Sequence, residues 1–250
     1  SDGPCTVLGT DLRCGALDAA MMNGVAAHAL DFDDCNNTVG GHPTVPMLPA
    51  ILALAEMRPV SGAQLVGAYV AGFETMAAFG RVLNMHHYQK GWHPTATLGI
   101  FAGAAASAYL LGLDRERTAT ALAIAASLAA GIKANFGTMT KPLHVGHCAR
   151  NALFAALLAE QGFTAHSAAL EHPQGFFEVF NGAGHYAVEQ LLDGWADPYE
   201  LLGPGLAIKA YPCCASTHPA VDAALQLARL DGADPADVER IVVRSHERRL

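Results

Sequence analysis

The chain has 250 residues, a formal charge of −8, 52% apolar and 7% aromatic side chains, which suits one sizeable buried core of closely packed helices and excludes a disordered segment. Its 15 Lys and Arg form no dense run, so a nucleic-acid face is excluded and an anionic ligand must be met by a few local cations. Six cysteines without CxxC spacing give neither a zinc site nor a disulfide framework and point to a reducing cytoplasm, and the N-terminus lacks the basic region and apolar core of a signal peptide.

In chain order, residues 16–30 (ALDAAMMNGVAAHAL) read as a small-residue helix and 46–56 as a second, with the polar loop DFDDCNNTVGGHP (31–43) between them. Asp31 falls at or just past a helix C-terminus, where a carboxylate meets the negative end of the dipole and needs a cation or proton donor from elsewhere. Ser61 opens a third helix with capping-box spacing to Gln64, and Asp114 opens another that ends before Gly131. Residues 95–113 are uncharged and long enough to suggest a membrane span. Their Ala, Gly, Ser and Thr content and the lack of aromatic and basic anchors favour a buried core helix, so no membrane is expected.

Further helices are expected over 144–161 and 186–202, with a loop-rich stretch over 163–184. After Gly203 the character changes: prolines and glycines, a helix over 218–230, and one alternating strand over 238–245. A single strand cannot stand alone, so the chain is read as cut off just inside a second domain. The expected fold is mainly α, a large all-helical domain over 1–208 followed by the beginning of a smaller α+β domain over 209–250.

Four loop clusters carry the chemistry. The first holds Asp31, Asp33, Asp34, Cys35, Thr38 and His42. The second places His93 before a helix N-terminus, which favours anions and lowers an imidazole pKa. The third holds Lys141, His144 and His147, and the fourth Lys209, Cys214 and His218. Asp31 is the better catalytic candidate, with Asp33 and Asp34 half structural. Cys213 and Cys214 read as buried small apolar side chains. His86, His87, His166, His172, His185 and His246 read as surface residues. Asp31, Asp33 and His42 could ligate a divalent ion, but the Lys and His partners would repel it, so neither metal nor cofactor is expected. The string Asp31-Phe32-Asp33-Asp34 matches the DxDD of some terpene cyclases, against which the scarcity of aromatics counts.

The strings AAHALDFDD, GGHPT, GWHPTATLG, GTMTKPLHVGHCARNALFAALLAEQGFTA and KAYPCCASTHPAVDAAL together resemble the MmgE/PrpD family, which contains 2-methylcitrate dehydratase, cis-aconitate decarboxylase and iminodisuccinate epimerase. The resemblance spans nearly the whole chain. It implies a helical domain with a smaller α+β lid, a metal-free active site in the cleft between them, and a homodimer; family members are much longer than this chain. By the same resemblance, Asp31 matches the active-site aspartate, His42 the histidine ending the loop, and His93 and Lys141 active-site positions of the cis-aconitate decarboxylase branch. That branch carries a histidine where Cys214 stands, with His218 four residues on, and the family's threonine falls near Cys35, with Thr38 nearby.

The expected function is a hydro-lyase of the 2-methylcitrate dehydratase type, acting on a small di- or tricarboxylic acid by proton abstraction next to a carboxylate. The alternatives are an epimerase or decarboxylase of the same family, or a truncated, inactive oligomerising subunit. Asp31, His42, His93 and Lys141 are the expected catalytic residues; Thr38, His144, Lys209, Cys214 and His218 are expected to bind substrate.

Overall fold

The computed structural model describes residues 2–230 and 234–245. Two short strands, β1 (Cys5–Thr6) and β2 (Arg13–Cys14), pair antiparallel and lead into α1 (Ala16–His28). There follow α2 (Thr44–Met57), α3 (Gly62–Leu83), the short α4 (His86–Gln89) and α5 (Pro94–Thr97), α6 (Gly99–Leu111), α7 (Arg115–Leu128), α8 (Thr140–Glu160), α9 (Phe176–Asn181) and α10 (His218–Leu230).

Local chemistry explains the boundaries. Ser61 accepts from the Gln64 amide while Gln64 accepts from the Ser61 amide, closing a capping box on α3. Asp114 accepts from the Arg117 amide and caps α7. Helix α8 starts at Thr140, four residues before the expected His144, because Pro142 lies in its first turn, where the amide it lacks has no intrahelical partner.

Helix α6 is the centre of the bundle and packs on α2, α3, α7 and α8. Phe101 stacks on Phe79 with ring centroids 4.2 Å apart, and Phe176 and Phe177 close the same aromatic cluster. The apolar span Pro94–Leu111 is 78% buried among these helices, as a core helix should be. Helices α1 and α8 cross over two glycines: a Cβ on Gly24 would lie 2.9 Å from the Gly146 Cα. That close approach sets the C-terminal end of α1, one turn past Gly24, beside the N-terminal end of α8, nearly two turns before Gly146.

Three expected elements differ. Residues 186–202 form no helix but two 3-10 turns, Val188–Gln190 and Glu200–Leu202, joined by turns. Gly194 at φ 61° and Pro198 break the pattern, the latter by removing an amide donor and disfavouring helix in the residue before it. The expected loop over 163–184 carries α9. Residues 238–245 are extended or irregular and form no ladder among the described residues, since alternation alone supplies no pairing partner.

Several side chains also differ. His87 is fully buried, its Nδ1 2.6 Å from Asn181 Oδ1 and its Nε2 2.8 Å from Thr97 Oγ1. Cys214 is exposed and Cys213 half-buried, so neither fills a core. His86 is half-buried and stacks on exposed His185, and His166 and His172 lie at the surface; His246 is outside the described residues.

Candidate active site

The site begins where α1 ends. After His28 the chain turns through Asp31 at φ 49°, a left-handed conformation that Asp tolerates better than most residues. The loop that follows is self-supporting: the Asn36 amide donates to Gly41 O, the Gly40 amide to Asn36 O, and Asn36 Oδ1 accepts from the Val39 amide. A second segment is pinned onto it by paired backbone bonds between Cys35 and Ala207, with Asn36 Nδ2 donating to Gly205 O. This pairing carries Lys209 into the loop from 178 residues away in the chain.

The acid at the helix end is thereby answered. Lys141, from the first turn of α8, donates to Asp31 Oδ2 at 2.7 Å, and Lys209 donates to Asp31 Oδ1 at 2.5 Å. Burial pushes the Asp31 carboxyl up, but the two ammonium groups outweigh it and hold it down to about 2. Asp33 is also lowered: burial opposes, while the His28 hydrogen bond and nearby positive charge prevail. Asp34 is raised by burial despite accepting from Thr44.

Three histidines surround this carboxylate cluster. His42 Nδ1 lies 2.8 Å from Asp34 O and its Nε2 3.6 Å from Asp31 Oδ1; burial pushes its pKa down to about 4. His93 is buried, well below the usual imidazole range through burial and then the neighbouring positive groups, and its Nδ1 faces His144 Nδ1 at 3.3 Å. One of those nitrogens must donate and the other accept, so this pair holds opposite tautomers. The Gly91–His93 segment is fixed by backbone bonds to Gly131 and Lys133, which also bring Phe136 to 4.9 Å from the His93 ring and 5.4 Å from Lys141 Nζ. The third histidine, His28, is fully buried, with Nδ1 2.8 Å from Asp33 Oδ2.

The structure thus gathers Asp31, His42, His93, Lys141, His144 and Lys209. It does not bring in the other three expected residues. Thr38 donates to Glu200 Oε1 at 2.5 Å, on the side of α3. His218 contacts Cys213 O and the Tyr211 ring, and Cys214 lies exposed beside it. His28 and Phe136 were missed. His28 stands in AAHALDFDD three residues before Asp31, a signal the loop's own acids obscured.

His28, Asp31, Asp33 and His42 each offer one ligand atom within 4.8 Å of the others. Both Asp31 oxygens already accept from ammonium groups, so a divalent ion would face two cations. The arrangement is better suited to exchanging Asp31 for the carboxylates of an incoming anion.

Residues 1–189 match the MmgE/PrpD N-terminal domain and residues 211–250 the MmgE/PrpD C-terminal domain. The chain belongs to the MmgE/PrpD family. Among its relatives in the family, human cis-aconitate decarboxylase is 34% identical over 247 residues, covering 94% of this chain and 50% of that protein. The cis-aconitate decarboxylase of Aspergillus terreus is 33% identical over 239 residues, covering 91% and 48%. That of Mus musculus is 34% identical over 248 residues, covering 94% and 49%. This MmgE/PrpD chain spans about half the length of the curated relatives it matches.

Proposed function

We propose that the protein is a carboxy-lyase that decarboxylates a small unsaturated tricarboxylic acid of the cis-aconitate kind. The observation that carries this reading is the placement of two ammonium groups, Lys141 and Lys209, on one carboxylate, with His42 and His93 alongside. A substrate carboxylate would take the place of Asp31 on the lysines. Breaking the bond to the departing carbon dioxide leaves an electron pair that conjugation spreads over the double bond and a remaining carboxylate. Prepositioned cations stabilise that charge, and an imidazole returns a proton to carbon. The identity to proteins named cis-aconitate decarboxylases supports this choice over the dehydration expected first.

Dehydration is kept as a second reading: by the resemblance read from the sequence, the decarboxylase branch carries a histidine at the position of Cys214, which is exposed here. Incubating the native polypeptide with cis-aconitate and with 2-methylcitrate separates the readings: carbon dioxide release from the first supports decarboxylation, and water loss from the second with no carbon dioxide from the first overturns it. The reading includes a cytoplasmic homodimer, tested by light scattering of the native polypeptide.

A further inference from the structure

Asp33 is the buried hub of the opening loop. Its side chain is 4% exposed; Oδ2 accepts from His28 Nδ1 at 2.8 Å and lies 3.3 Å from His42 Nδ1. That same His42 nitrogen is 2.8 Å from the carbonyl oxygen of Asp34. A carbonyl and a carboxylate can only accept, so Nδ1 must carry the hydrogen. The bare nitrogen of neutral His42 is therefore Nε2, which lies 3.6 Å from the carboxylate that both lysines hold.

His28 is held by the same logic as an Nδ1–H tautomer, and its own Nε2 is buried without a hydrogen-bond partner among the described residues. An unpaired buried polar atom is a cost to folding that an apolar residue of similar volume would avoid. The His28 ring also packs edge-on against His42 at 4.8 Å and parallel to His93 at 5.8 Å, so it supports both histidines of the site.

We propose that His28 and Asp33 are positioning residues that hold His42 as its Nδ1–H tautomer with the Nε2 lone pair toward the substrate, making His42 the proton carrier. The tautomer stands on geometry alone; the proton-carrier role rests on the lyase reading above. Asp31 is less suited to that role: paired with its lysines its carboxyl is held low, and released from them by an incoming carboxylate it returns toward the ordinary aspartate range, ionised at neutral pH in either state. His42 is neutral at pH 7, and the negative charge of a bound polycarboxylate raises its affinity for a proton.

The test uses Asp33→Asn, His28→Leu and His28→Asn in the native polypeptide, with thermal midpoints taken first to establish folding. Nitrogen-15 NMR of labelled histidines reads the tautomer of His42 directly. Wild type is expected in the Nδ1–H form, with the opposite tautomer gaining population in Asp33→Asn. Carbon dioxide release from cis-aconitate is expected to fall on the order of 10²-fold in kcat with KM nearly unchanged in Asp33→Asn and His28→Leu. His28→Asn, whose amide replaces the Nδ1 donor, is expected to recover most of that loss. An Nε2–H tautomer in wild type, or an unchanged His42 tautomer in Asp33→Asn, overturns the proposal, as does wild-type kcat in His28→Leu. If wild type releases no carbon dioxide, the lyase reading fails, and the NMR comparison alone decides the positioning role.

Discussion

Lys209 Nζ donates both to the Oδ1 oxygen of Asp31, at 2.5 Å, and to the backbone carbonyl of the same residue, at 2.6 Å. One buried ammonium thus fixes the position of the acid and the left-handed turn that presents it. Replacing Lys209 by Met leaves Lys141 as the remaining cation hydrogen-bonded to Asp31. The expected result is a loss of about 1–3 kcal/mol in urea unfolding. KM for a polycarboxylate should rise at least as strongly as for Lys141→Met. Wild-type stability and KM in Lys209→Met would show that the pair is incidental.

Acid should destabilise the fold in two windows. His42 and His87 are pushed by burial from 6.5 to about 4, so between these values the unfolded chain binds protons that the folded chain refuses. Their contribution is complete above the unfolded value and is lost as pH falls toward about 4, worth up to about 3 kcal/mol each. Asp31 behaves as a depressed acid: its contribution is present above the unfolded value of 3.8 and is lost as pH falls through about 2. Unfolding free energy measured by urea from pH 7 to pH 4 should therefore decrease, and the decrease should be shallower in His87→Gln. A flat profile would contradict the burial of these two rings.

The α1–α8 crossing gives a prediction at a distance from the charged groups. Gly24→Ala places a methyl 2.9 Å from the Gly146 Cα, too close for either backbone to ignore. The strain should exceed the gain in helix propensity, for a net loss of about 1–2 kcal/mol in the thermal or urea midpoint. Because the same crossing aligns Asp31 with Lys141, activity should fall more than stability alone explains. A stabilised Gly24→Ala variant would show that the helices slide freely.

His87 tests a buried polar bridge. Its two nitrogens join Asn181, 94 residues away in the chain, to Thr97. His87→Leu should lose about 2–4 kcal/mol by stranding Asn181 Oδ1, while Thr97 Oγ1 keeps its bond to His93 O; Asn181→Ala should lose at least as much, because it also removes the Nδ2 bonds to Leu83 O and His185 O. Equal stabilities across wild type and both variants would remove the bridge from the account.

Much of this arrangement is visible in the sequence where local chemistry decides it. A carboxylate just past a helix end needs a cation, and Asp31 finds two in Lys141 and Lys209. The caps at Ser61 and Asp114 follow from spacing alone. What was hidden depended on tertiary pairing. His28 becomes a site residue only because the turn at Asp31 folds Asp33 back onto it, and Thr38 is drawn to Glu200, 162 residues away. His87 stands in the polar run HHYQK yet is buried by α9, and the alternation over 238–245 specifies a strand's faces without supplying its neighbour.

Decarboxylation at the Asp31–Lys141–Lys209 cluster is measured by incubating the native polypeptide with cis-aconitate and following carbon dioxide together with the proton NMR spectrum of the product. One carbon dioxide should be released per substrate consumed, giving a product with a new carbon–hydrogen bond, and both should be abolished in Lys141→Ala and in His42→Ala. Consumption of the acid without carbon dioxide, or equal rates in the two variants and wild type, would contradict it.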